Sequence, residues 1–87
     1  MLTVTPSAGV RLQQFLESAS AGDVVRIVRN SRRLKLRKSR PRPGDTLFHH
    51  DGQLVLVLTE KASETLASRT LDTRETDDGP KLQLKPR

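Results

Sequence analysis

The chain contains no cysteine, so no disulfide can supplement its core and no thiolate can act as nucleophile, redox centre or soft-metal ligand. Tryptophan and tyrosine are also absent, leaving Phe15 and Phe48 as the aromatic residues. That scarcity argues against an aromatic stacking platform for single-stranded nucleic acid. The longest apolar run is Leu54 to Leu58, far short of the roughly 20 residues that span a bilayer as a helix. The N-terminus, Met1-Leu2-Thr3-Val4-Thr5-Pro6, has neither the basic nor the apolar region of a secretory signal. A soluble, cytoplasmic protein with no membrane partner is therefore expected.

What is present is enough for one small core. Leu, Ile, Val and Phe supply 23 of the 87 residues, above the roughly 20% below which a charged chain is expected to stay disordered. A single domain spanning 1–87 is expected, and a chain of this size buries only about 60 to 65% of its unfolded surface, so its stability should be modest. The net charge of +6 draws a protein toward phosphate polymers, anionic membranes or acidic protein faces without choosing among them.

Thr5-Pro6 reads as an N-cap followed by proline at the first helical position, where a missing N–H is no loss. Ala8, Leu12, Phe15, Leu16 and Ala19 then recur at helical spacing and place one apolar stripe on the core, with Gly22-Asp23 ending the segment. Val24 to Val28 is rich in β-branched residues and predicts a central strand. After a turn at Asn30-Ser31, Arg33-Leu34-Lys35-Leu36-Arg37 alternates with period two, predicting a half-buried strand with a cationic outer face. Pro41, Pro43 and Gly44-Asp45 predict an exposed loop from Ser39 to Asp45. Asp51-Gly52 predicts a hairpin between strands at Thr46 to His49 and Gln53 to Leu58, and Asp77-Asp78-Gly79 a second between Arg69 to Glu75 and Lys81 to Lys85. Between the hairpins, Thr59 caps a short helix from Glu60 to Ala67 that buries Ala62 and Leu66.

Several segments together carry a resemblance. They are Leu2-Thr3-Val4-Thr5-Pro6-Ser7-Ala8 leading into a helix that ends in Phe15-Leu16, then Val25-Arg26-Ile27 and Gly44-Asp45-Thr46-Leu47-Phe48. The Asp51-Gly52 turn into Gln53 to Leu58, Leu71-Asp72 and Gly79-Pro80-Lys81-Leu82-Gln83-Leu84-Lys85-Pro86 complete them. In order and spacing the chain resembles the A-type iron–sulfur carriers, the HesB-like family. The resemblance implies an α+β, mostly β fold: a small β-sandwich or flattened barrel with an N-terminal helix and a short second helix. It also implies a site of three cysteines, one in a Gly-Cys-Ser-Gly loop after the central strand and two in a Cys-Gly-Cys tail. At the first place this chain has Asn30-Ser31-Arg32-Arg33, and at the second it ends at Arg87. Iron–sulfur clusters need thiolates, for which imidazole substitutes only in part, so no family site residue carries over and no cofactor is expected.

The remaining candidates are weighed on their own chemistry. Arg26, Arg29, Arg32, Arg33, Lys35, Arg37, Lys38, Arg40 and Arg42 place nine cations within seventeen residues. The tract either meets an acidic protein or phosphates, or is a charged edge strand kept soluble by its cations. As a partner-binding surface its members are Arg32, Arg33, Lys35, Arg37, Lys38, Arg40 and Arg42. His49 and His50 are adjacent, so in a strand they face opposite ways and make a poor metal site. Asp72, Glu75, Asp77 and Asp78, with Ser31, Ser39 and Ser63, have no base or orienting partner at motif spacing, so no catalytic residue is assigned. Asp77-Asp78-Gly79 lacks the further ligands of a calcium loop, and Gly9, Gly22, Gly44 and Gly52 form no phosphate-binding pattern. The expectation is a non-catalytic binding or scaffold module, not an enzyme, with an electrostatic nucleic-acid-binding protein as the alternative.

Overall fold

The computed structural model describes residues 1–30 and 33–86. Its elements are β1 (Thr3–Val4), α1 (Pro6–Leu16), β2 (Val24–Asn30), β3 (Arg33–Ser39), β4 (Thr46–His50), β5 (Gln53–Leu58), α2 (Glu60–Thr65), β6 (Arg69–Thr76) and β7 (Gly79–Pro86). They form a four-stranded sheet of order β3-β2-β5-β4 and a three-stranded sheet of order β1-β6-β7. The hairpins β2–β3, β4–β5 and β6–β7 are antiparallel, whereas β2–β5 and β1–β6 are parallel.

Local chemistry accounts for most boundaries. The Thr5 hydroxyl accepts from the Ala8 amide at 3.2 Å and caps α1. Thr59 does the same for α2 through the Ala62 amide at 3.2 Å. At the β4–β5 turn Asp51 and Gly52 have φ of 50° and 80°, the pair of positive values that lets a two-residue loop match the strand twist.

Ala8, Leu12 and Leu16 of α1 pack with Val25 and Ile27 of β2, Leu56 and Leu58 of β5, and Leu66 and Leu71. Burying each large aliphatic side chain of this set contributes about 1.5–3 kcal/mol. In the register of β2 with β3, Ile27 opposes Leu36 and Arg26 opposes Arg37. One face of β3 therefore joins the core while the other looks outward, as the alternation predicts.

The structure corrects several expectations. Helix α1 stops at Leu16, with Glu17 as its C-cap, so Ala19 meets the core from the following turn. Helix α2 ends at Thr65, and Leu66 is buried from its cap position. Phe15, expected on the core stripe of α1, is half-buried and packs on the core's margin, as does Phe48. The expected loop from Ser39 is shorter, because β3 runs through Ser39. Strand β4 includes His50, and β1 was not foreseen, since two residues are too few for a periodic signal. The expected turn at Asn30-Ser31 falls partly outside the described residues.

Candidate partner-binding face

The basic tract divides into groups with different surroundings. Arg26 belongs in sequence to the run of nine cations, but it is 6% exposed. Its Nη1 and Nη2 donate to Asp45 Oδ1 and Oδ2 at 3.1 and 2.6 Å, its Nε to Ser39 Oγ at 3.2 Å, and Nη2 also to the Arg40 carbonyl at 3.2 Å. Asp45 is held in turn by the Arg42 amide at 2.7 Å. The Arg26 hydrogen bonds keep its carboxyl below the usual carboxylate range, against the opposing effect of burial. A bidentate, nearly dry pair of this kind fixes the 40–45 loop to β2. This corrects the expectation of a wholly exposed Ser39–Asp45 loop.

Lys38 and Arg40 reach toward the end of α1. Lys38 opposes Val25 across the β2–β3 ladder, so it lies on the face opposite Lys35 and Arg37. Its Nζ sits 5.5 Å from the centre of the Phe15 ring and 3.5 Å from Ser18 Oγ. Arg40 Nη2 donates to the Ala21 carbonyl at 3.3 Å, and its Nε is 3.7 Å from Asp23 Oδ1. Lys35 and Arg37 remain, exposed on the outer face of β3 and without a salt bridge among the described residues. Arg42 is exposed as well, its amide serving Asp45. Arg32 and the side chain of Arg33 lie outside the described residues.

The other candidates have structural surroundings. Asp72 Oδ1 accepts from Thr5 Oγ1 and its neighbour's amide, Thr73 N, both at 2.8 Å, and Oδ2 from Lys85 Nζ at 3.0 Å. The Lys85 bond, then those from Thr73 and Thr5, draw its pKa down to about 2. The Asp72 carboxylate thus ties the α1 cap to β6. His50 packs against α1, where a Cβ on Gly9 would meet its Nδ1 and lie 2.7 Å from Cγ. Gln13 Nε2 donates to the His50 carbonyl at 3.2 Å. Sequence reasoning missed both contacts, because Thr5–Asp72 and Gly9–His50 are long-range pairs without a local signal. Asp77 and Asp78 occupy the exposed β6–β7 turn, and Glu75 is exposed beside it.

The sequence matches no protein-family model and no curated protein. Solved structures do match. Escherichia coli SufA, involved in biosynthesis of iron–sulfur clusters, superposes with a TM-score of 0.78 at 22% identity over 98% of this chain and 84% of that one. IscA, solved with the [2Fe-2S] cluster, superposes with a TM-score of 0.64 at 20% identity over 99% of this chain and 82% of that one. The chain has the A-type iron–sulfur carrier fold. Within that carrier fold the β2–β3 connection is where the resemblance places the first cysteine; Ser31 and Arg32 stand there in sequence, outside the described residues. No described helix is long and apolar enough to cross a membrane.

Proposed function

We propose that this protein is a non-catalytic binding or scaffold module that uses the carrier fold without ligating a cluster of its own, and that it docks an acidic protein partner through β3. The observation that carries this reading is the pair Lys35 and Arg37, exposed on one face of an outer strand and unpaired by any described carboxylate. Arg32, Arg33 and Arg42 extend the charge in sequence. Lys38, within β3, and Arg40, just beyond its end, hold the α1–β2 loop. Arg26, buried against Asp45, takes no part in the docking set.

The absence of a cluster follows from ligand chemistry: a chain with no cysteine and two histidines cannot supply the thiolates a cluster requires. The likeness to SufA and IscA supports a place among proteins of that fold, with the partner defined by charge. The test is cross-linking of wild-type protein and the Lys35→Glu/Arg37→Glu variant in lysate with and without nuclease, with the linked peptides identified. Acidic proteins joined near β3 in the wild type and lost in the variant support the reading. Capture that disappears with nuclease, and returns with added duplex DNA, would replace it by nucleic-acid binding.

A further inference from the structure

The outward cations of β3 are on one side of the strand, and an apolar groove is on the other. The groove encloses about 280 Å³ between Arg11 and Phe15 of α1, Leu36 of β3, and Lys81 and Leu82 of β7. Strands β3 and β7 are the terminal strands of their respective sheets, so the groove lies where the two sheets fail to join. Phe15, Leu36 and Leu82 are apolar and already touch the core margin. Arg11 and Lys81 give the walls positive charge. Arg11 Nη1 is 3.4 Å from the neutral Gln14 Oε1, and among the described residues Lys81 Nζ has a 3.9 Å contact with exposed Asp78 as its one salt bridge.

We propose that an extended segment of an acidic partner adds to the free edge of β3, turning alternate apolar side chains into this groove and the intervening carboxylates toward Lys35 and Arg37. Strand geometry favours this occupant. An outer strand directs the N–H and C=O groups of every second residue away from its neighbour, ready to pair. Successive side chains of an added strand point to opposite faces, so one extended peptide serves both the groove beside Leu36 and the cations flanking it in sequence. A helix or a folded surface docked on either face reaches one of the two. A second copy of β3 is disfavoured because its lysines and arginines would oppose like charges across the new ladder. Main-chain pairing then supplies affinity, and the alternation supplies selectivity.

This inference rests on the acidic-partner reading and is tested with wild-type protein and synthetic peptides. The first peptide alternates valine and glutamate over roughly eight residues, a typical strand length or slightly more. The second carries the same side chains with N-methyl groups on alternate amides along each edge in turn, the third groups its glutamates at one end, and the fourth is oligoglutamate. The expected result is binding of the first peptide with slowed amide exchange in residues 35–39. Binding should fall at least about tenfold, a difference of 1.4 kcal/mol, for the third peptide and for whichever N-methylated form blocks the pairing edge. Equal binding of every peptide without protection of β3 overturns edge addition and leaves the acidic-partner reading standing. No binding of the alternating peptide, with oligoglutamate bound, has the same meaning; no binding of any peptide overturns both.

Discussion

Arg26 and Asp45 face each other across a 2.6 Å ion pair whose side chains are 7% and 3% exposed. One residue is in the middle of β2 and the other is the last before β4, so the pair connects the interior of the sheet to the loop that leaves its edge. Removing one partner of such a buried pair costs about 3–5 kcal/mol, because the remaining charge is stranded. Arg26→Ala and Asp45→Ala should therefore each shift the denaturant midpoint strongly, whereas Arg37→Ala, on the next strand and exposed, should change stability by no more than about 0.5 kcal/mol. Equal effects of Arg26→Ala and Arg37→Ala in urea unfolding would show that the pair does not anchor the loop.

The two lowered carboxyls fix the sign of the acid response. Asp72 ionises at about 2 in the fold and Asp45 also lies below its ordinary value, whereas an unfolded aspartate ionises near about 3.9. The folded state thus binds fewer protons in this window, and its stability rises with pH. The contribution is fully present above about pH 4 and is lost as pH falls, ending for Asp72 near its folded value of about 2. Urea midpoints measured from neutral pH to pH 2 should fall chiefly below pH 4, and Asp72→Asn should flatten that fall. A slope unchanged in Asp72→Asn would remove the Thr5–Asp72–Lys85 cluster from the explanation.

Gly9 is buried in the first half of α1 against the His50 ring. An added Cβ would be 2.7 Å from the ring's Cγ and 3.0 Å from Cε1, so rotating the ring tip does not clear it and the whole side chain must shift. Gly9→Ala should destabilise by about 1–3 kcal/mol despite the better helix propensity of alanine. With His50→Ala as background the clash is gone, and the same substitution should become neutral or stabilise by up to about 1 kcal/mol. A Gly9→Ala cost as large in the His50→Ala background as in the wild type would contradict the close packing of α1 on β4.

Much of this architecture is legible in sequence where the signal is local. Thr5-Pro6, Thr59 and Asp51-Gly52 announce two caps and a turn through side-chain and φ requirements that operate within a few residues. The alternation around Lys35-Leu36-Arg37 likewise assigns the two faces of β3. What the sequence hides is partnership at a distance. Arg26 looks like its neighbours in a run of cations, and only the fold brings Asp45 to it; Gly9 looks like a helix weakness until His50 is seen beside it. The candidate face was legible as a charge run, but its division into buried, tethered and free members depends on which strand end meets the α1–β2 loop.

Cluster loading gives a direct chemical test. Protein incubated with iron, sulfide and a thiol donor should keep no visible absorption at fixed stoichiometry after desalting, because the chain has no cysteine and thiolates are the required ligands. Retained absorption that survives repeated desalting would mean that other groups, or a second molecule, complete a site.

The docking face separates from general charge attraction when single reversals at different places are compared. Lys35→Glu, Arg37→Glu and Arg74→Glu each change the net charge equally, and all three residues are exposed. Arg74 is on β6 of the other sheet. If attraction follows net charge alone, the three variants should weaken binding of an acidic peptide alike, since long-range steering is a property of the whole protein. If β3 is the contact, Lys35→Glu and Arg37→Glu should each lower affinity several-fold, with Arg74→Glu near wild type and all three melting within a few degrees of it. Raising the salt should narrow the difference, because these exposed charges are screened over about 8–10 Å at physiological ionic strength. Equal loss in all three variants would reduce the cations of β3 to a solvated strand face.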